Sequence, residues 1–281
     1  MYKFAFHNAL ITGGSSGIGL ATAQKLVEGG VNVMLVARDS ERLGVAKSRL
    51  EAHAAEGAAV SVLALDVSDR KMLENVLAPL IRNGVSPDLV VNCAGMAYPN
   101  YFEQIDSEIF DKTVKINLTG TWNILKCVVP AMRSGGHIVN VSSVAGLVGT
   151  FGYTAYSATK FAIIGLSEAL RNELSQKGIG VSVLCPADTD TPQLDFENRS
   201  KPAETRAISG NAGVMKPEQV AEALLAGVRK KRFLIVPGVQ AKLVYLAKRF
   251  VPGLLYGIMD RDAKKSKIVS HAAVGQAKRR K

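Results

Sequence analysis

The chain has 281 residues, of which 47% are hydrophobic, with 35 Lys and Arg against 24 Asp and Glu for a formal net charge of +11. That apolar content excludes disorder. The three cysteines (Cys93, Cys127 and Cys185) lack paired spacing and exclude a disulfide framework, which suits a reducing, cytoplasmic setting, while the scattered histidines predict no metal site.

The segment Met1 to Phe6 leads directly into a first strand at Ala9-Leu10-Ile11, without the apolar run of a secretion signal. Thr12-Gly13-Gly14-Ser15-Ser16-Gly17-Ile18-Gly19 follows, and helical composition resumes at Leu20. Further strands are expected at 31–36, 60–65, 88–91, 138–141, 181–184 and 233–236, with helices at 40–56, 69–82, 107–132 and from Tyr156 to about 176. Residues 188–213 read as a polar loop or lid, and Lys216-Pro217-Glu218 opens another helix. Alternating elements of this kind predict βαβ units, and continuous apolar strands predict a sheet covered on both faces. The expected architecture is a single doubly wound α/β domain of the Rossmann type over residues 1–238, with a mostly parallel seven-stranded sheet. Cys93, Cys185 and the sole tryptophan, Trp122, are read as core residues.

Chemistry concentrates at three places. A glycine-rich loop between a strand and a helix allows close backbone approach to a pyrophosphate at a helix N-terminus, as a dinucleotide requires. The second strand ends Val36-Ala37-Arg38-Asp39, where a guanidinium replaces the acid expected for a free ribose hydroxyl, so NADPH is the expected cofactor. Asp66-Val67 falls where the adenine edge would lie. The third place is Tyr156-Ser157-Ala158-Thr159-Lys160, which sets a phenol and an ammonium one helical turn apart. A nearby cation favours phenolate, so the pair predicts a general acid with a lowered pKa.

Together with Asn92-Cys93-Ala94-Gly95, Asn117 and Ser143, these motifs resemble the short-chain dehydrogenase/reductase family over roughly residues 6–240. The resemblance implies that Tyr156 is the acid/base and that Lys160 tunes it and binds the nicotinamide ribose. It also implies that Ser143 orients the carbonyl, that Asn117 helps hold a relay water, and that Asn92, Ala94 and Gly95 support the coenzyme pocket. The implied cofactor set further includes Thr12, Gly13, Ser15, Ser16, Gly17, Ile18 and Gly19 in the first loop, and Pro186, Thr189 and Thr191 after the sixth strand. Pro186-Ala187 departs from the Pro-Gly of many members. The stretch from Cys185 to Arg206 is similar to the 3-ketodihydrosphingosine reductases, which implies NADPH-dependent reduction of a sphingoid ketone. Another lipophilic ketone (a 3-ketoacyl thioester or a ketosteroid) and a non-catalytic NADPH sensor are the competing readings. A homo-oligomer built through the helices of Asn117 and Tyr156 is also implied.

Residues 239–281 form a basic extension. Val239, Leu243, Leu246, Ala247, Phe250, Leu254 and Ile258 recur at helical spacing among Lys242, Lys248 and Arg249, with a break expected at Pro252-Gly253. An apolar stripe beside cations predicts peripheral contact with anionic membrane. The basic segments carry no interleaved aromatic platform, which argues against nucleic acid.

Overall fold

Strands buried on both faces alternate their side chains between two helical layers, and this chain does so in register. The computed structural model describes the backbone of residues 5–84, 86–209 and 213–279, and side chains through residue 266. The strands β1 Asn8–Thr12, β2 Asn32–Ala37, β3 Val60–Ala64, β4 Leu89–Asn92, β5 His137–Val141, β6 Gly180–Leu184 and β7 Leu234–Ile235 form one sheet. Their order is β3-β2-β1-β4-β5-β6-β7, and every neighbouring pair is parallel.

Leu10, Val36, Val90, Ile138 and Val181 point into one core, while Ile11, Leu35, Val91 and Val139 point into the other. The second core is closed by helix α1 (Gly17–Glu28), by α2 (Ser40–Glu51) and by α8 (Pro217–Arg229). The first is closed by three helices. These are α3, which runs Arg70–Met72, a π turn Leu73–Leu77 and Ala78–Arg82; α4, which runs Ser107–Val114, a π turn Lys115–Thr119 and Gly120–Val128; and α5, Thr154–Ser175. The sheet order reverses between β1 and β4, so a crevice opens outside their carboxyl ends, where ligands of such sheets bind.

Four local expectations change. Helix α4 stops at Val128 rather than 132, because Pro130 disfavours helical geometry in the residue before it. Helix α5 begins at Thr154, which puts Tyr156 inside its first turn. The polar stretch 188–213 contains two helices, α6 (Pro192–Ser200) and α7 (Ala203–Ser209). Thr191 caps α6 by accepting from the Leu194 amide at 3.3 Å, and Pro192 fills the first helical position, so the signals for a helix were local. Trp122 is not core: it is 52% exposed, on the face of α4 opposite Thr121, Ile124, Leu125 and Val128, which are buried. Of the cysteines, Cys185 is fully buried, whereas Cys93 keeps partial exposure.

The C-terminal extension forms α9 (Val239–Phe250) and α10 (Pro252–Arg279), broken at Val251, where the backbone leaves helical geometry just before Pro252. Ala241 and Leu255 are buried, whereas Val239, Leu243, Leu246, Phe250, Leu254 and Ile258 are exposed by 46–71%. Among the described residues, no helix is long and apolar enough to cross a membrane.

Candidate active site

The crevice is a cleft of about 360 Å³ that joins the glycine loop to the ends of β4, β5 and β6 and to the C-terminal helices. Gly13, Ser16, Gly17, Ile18, Ala94, Gly95, Ser143, Tyr156, Lys160, Pro186, Thr189 and Thr191 all line it. Thr12, Ser15, Gly19, Arg38, Asp66, Val67, Asn92 and Asn117 do not, and several of these brace the wall from behind.

The glycine loop needs its glycines for geometric reasons. Gly17 has φ +53°, and a Cβ there would come 2.9 Å from the Thr191 methyl. A Cβ on Gly19 would fall 2.5 Å from the Gly13 carbonyl oxygen, so only glycine lets the loop fold back on itself. Ser16 is the N-cap of α1, but its hydroxyl makes no capping bond. Thr12 is 1% exposed, and its hydroxyl accepts the amides of Cys93 and Ala94 at 3.1 Å each. That bond ties the glycine loop to the end of β4.

On the far side, Asn92 donates to Asn140 Oδ1 at 2.9 Å, and Asn140 donates to Ser167 Oγ at 2.9 Å, which links β4, β5 and α5 through the interior. The Asn92 Oδ1 atom is buried and has no partner among the described residues. Asn117 lies in the π turn of α4 and is 1% exposed. Its amide nitrogen donates to the Met96 carbonyl at 2.9 Å and to Thr159 Oγ1 at 3.0 Å, and its oxygen accepts the Met96 amide at 2.8 Å. Both donors of this side chain are therefore spent on holding the segment after β4 against α5. A π turn at such a position is a frequent mark of a functional site.

Ser143 lies two residues beyond β5 and caps a short 3₁₀ turn, accepting the Ala145 amide at 3.1 Å. Lys160 is 5% exposed, donates to the Val141 carbonyl at 2.8 Å, and holds its ammonium 5.4 Å from the centroid of the Tyr156 ring. Burial lowers the Lys160 pKa to about 8. The Tyr156 phenol departs from the expected direction. Burial pushes its pKa up, the charge of Glu197 adds to that, and the Ser143 hydroxyl pulls it back. Desolvation is the largest influence on this phenol. The phenol is protonated at neutral pH, which a proton donor requires.

At the second strand, Arg38 is exposed, and among the described residues it has neither an ion-pair nor a side-chain hydrogen-bond partner, while Asp39 caps α2 through the Arg42 amide at 3.0 Å. Asp66 accepts the Ser68 amide at 2.8 Å, and Val67 is buried, its carbonyl taken by Asn123 at 3.1 Å. Thr189 donates to the Ala187 carbonyl at 3.0 Å.

Several cleft residues were not among the expected site residues. Val244 of α9 and Leu255, Ile258, Met259 and Asp262 of α10 form an outer wall. Glu197 and Asp188 are carboxylates of the inner wall. No periodicity rule places these side chains there, since α10 reaches the cleft by packing on α7.

The short chain dehydrogenase family model matches residues 7–202, and the chain belongs to that family. A 3-ketodihydrosphingosine reductase of Bos taurus is 41% identical over 222 residues, covering 78% of this chain and 67% of that one. This chain thus spans about two thirds of the length of that curated relative. A short-chain dehydrogenase from Sphingobium yanoikuyae in complex with NADPH aligns at 29% identity and TM-score 0.73, covering 90% of this chain and 95% of that one. A short-chain dehydrogenase/reductase from Burkholderia phymatum in complex with NAD aligns at 26% identity and TM-score 0.74, covering 84% and 90%.

The residues present fit a dinucleotide. The fold-back at Gly19 and the start of α1 offer backbone N–H donors to phosphate, and the Ser16 hydroxyl, which makes no capping bond, offers a side-chain donor. Gly95 leaves the floor open beside Lys160, where a Cβ would lie 3.5 Å from the ammonium nitrogen.

Proposed function

We propose that this protein is an oxidoreductase that uses a nicotinamide cofactor, specifically NADPH, to reduce the ketone of 3-ketodihydrosphingosine to dihydrosphingosine. One observation carries the reading: a cleft that brings Ser143, Tyr156 and Lys160 together also has an outer wall of long apolar side chains from α9 and α10. Polar chemistry at the floor and an apolar flank suit a ketone on a long acyl chain. The likeness to a 3-ketodihydrosphingosine reductase supports the same substrate.

When bound, the reduced cofactor supplies a hydride to the ketone carbon. The chain's own residues manage the proton. Tyr156 gives its phenolic proton to the ketone oxygen as negative charge develops there. Ser143, just beyond β5, donates a hydrogen bond to the same oxygen. The Lys160 ammonium, fixed by the Val141 carbonyl, stabilises the phenolate left behind and would bind the cofactor ribose. Asn117 holds the end of β4 and the Lys160 turn in register through Met96 and Thr159. The loop amides and the Ser16 hydroxyl, with Ser15 of the same loop, would hold the pyrophosphate, while Thr189 would meet the cofactor's phosphate side and Thr191 its nicotinamide amide. Arg38 supports the NADPH reading, because an unpaired guanidinium at the end of β2 matches a 2′-phosphate. Asp66 and Val67 would border the adenine.

The exposed apolar side chains of α9 and α10, with Lys242, Lys248 and Arg249 beside them, support docking at an anionic membrane surface, from which a long-chain substrate is taken. Phe110, Trp122 and Phe161, exposed on α4 and α5, support a homo-oligomer through those helices. The deciding experiment is NADPH oxidation by the purified full chain with 3-ketodihydrosphingosine in detergent micelles. The expected result is saturable turnover that NADH supports poorly, and no turnover above the rate without protein refutes the reading.

A further inference from the structure

Glu197 stands out among the buried groups that the proton chemistry does not use. It lies on α6, is 7% exposed, and lines the cleft that holds Tyr156. Its Oε2 accepts the Tyr153 hydroxyl at 2.5 Å, and its Oε1 accepts Gln193 Nε2 at 2.9 Å. Tyr153 packs its ring 5.5 Å from that of Tyr156, so the carboxylate is fixed beside the proton donor. Both carboxylate oxygens keep a further acceptor site.

A buried carboxylate is costly unless a cation meets it. Among the described residues, no lysine, arginine or histidine nitrogen lies within ion-pair distance of Glu197. Lys201, whose charge reaches it through space, is engaged by Asp188 at 3.1 Å. Among the described residues that line the cleft, Asp188 is thus paired with Lys201, and the Lys160 ammonium donates to the Val141 carbonyl rather than to Glu197. Glu197 is therefore a carboxylate of the cleft wall that, among the described residues, meets no cation at ion-pair distance. Neutral ketones and anionic thioesters gain nothing from such a wall, whereas a cationic substrate does.

We propose that Glu197 is the specificity-determining residue of this cleft: its carboxylate receives a protonated amine borne on the carbon next to the ketone, so the cleft selects long-chain α-amino ketones over plain ketones. This rests on the ketone-reductase reading above and deepens it. The geometry has a chemical consequence. The charge of Glu197 holds the Tyr156 phenol up, away from ionisation. An ammonium seated against Glu197 offsets that charge, so the phenol becomes a better acid when the amine is in place.

The test compares 3-ketodihydrosphingosine with its des-amino counterpart, the same long-chain hydroxyketone without the amine, using the full chain, NADPH and identical micelles. The wild type should favour the amino ketone in kcat/KM by roughly 10- to 100-fold, the range for a hydrogen bond to a charged group. E197Q keeps the shape and removes the charge, and it should shrink that ratio to within about threefold of unity. A wild-type ratio near unity, or an E197Q ratio equal to that of the wild type, overturns the proposal. A second measurement needs no variant: a long-chain primary amine should inhibit the wild type at least about tenfold more strongly than its N-acetylated form, and equal inhibition also overturns the proposal. Equal turnover of both ketones leaves the long-chain ketone reading standing and removes only Glu197. Rapid turnover of short ketones alone removes the substrate reading itself, and this proposal with it.

Discussion

The two walls of the cleft are built on different principles. The wall made by β1, α1 and the ends of β4 and β5 is backbone: glycines, a helix start and buried amides, locked by Thr12, Asn92 and Asn117. The wall made by α6, α7, α9 and α10 is side chain: Glu197, Leu194, Val244, Leu255 and Ile258, brought in from helices far apart in sequence. Backbone cannot vary with the residue type, so the first wall suits a ligand common to a family. Side chains can, so the second suits the part of the reaction that is particular to this protein. Mutations should separate the two accordingly.

The largest effect is expected where the walls meet. Tyr156→Phe removes the proton donor and should lower kcat by roughly 10²- to 10⁴-fold while NADPH still binds, as read by steady-state rates and by fluorescence titration of the cofactor. Turnover within tenfold of wild type would show that the proton comes from elsewhere. On the backbone wall, Gly19→Ala drives a Cβ toward the Gly13 carbonyl, at 2.5 Å if nothing moves. The expected cost is about 1–3 kcal/mol of stability, with cofactor affinity lost as well, measured by denaturant unfolding and titration. Unchanged affinity would mean that the loop's fold-back is dispensable.

Arg38→Ala tests the choice of cofactor alone. It should weaken NADPH by roughly 10- to 100-fold and NADH by less than about threefold. Equal losses would remove Arg38 from the 2′-phosphate.

The pH profile of the wild type probes the junction without mutation. The Lys160 ammonium, with its pKa lowered to about 8, is lost as pH rises through that value, so kcat/KM should fall above about pH 8 by roughly tenfold per unit. Stability has the opposite sign there. Between about 8 and the ordinary lysine value of 10.5 the unfolded chain binds a proton that the folded chain does not, so this group's contribution makes folding more favourable as pH rises. A rate that stays flat through pH 9 would show that the ammonium is not needed.

The smallest expected effect is at the outer edge of the side-chain wall. Phe250 is 71% exposed, so Phe250→Glu should change stability by less than about 0.5 kcal/mol. It should nevertheless reduce co-sedimentation with anionic vesicles several-fold at low salt, because it places a negative charge on the face proposed to dock. Equal sedimentation would leave α9 without a membrane contact.

Much of the backbone wall was legible in the residues before any coordinates. Apolar runs of strand length separated by helical stretches specify a parallel sheet, because only a strand covered on both faces can be apolar on both. Gly17 and Gly19 between a strand and a helix specify a sharp loop, because no other residue fits there. The turn between Tyr156 and Lys160 specifies their shared face. What local signals misjudged is instructive in the same terms. Trp122 looked like core by its type, but helical phase and the packing of α4 put it outside. The stretch from Asp188 to Gly213 looked like loop by composition, although Thr191 and Pro192 begin a helix there.

Three matters belonged to tertiary structure alone. The pKa of Tyr156 depends on how deeply the phenol is desolvated, which spacing from a lysine does not encode. Asn117 proves to be a brace because Met96 and Thr159 arrive beside it from elements 21 and 42 residues away. The charge and apolar lining of the substrate wall depend on α10 folding back over α7, so that Ile258 and Glu197 share one cavity. Sequence by itself determined what can be stated through neighbours along the chain: strands, turns and the glycine loop. The burial, charge balance and shape of the cleft are sums over residues distant in the chain, and only the folded structure brings them together.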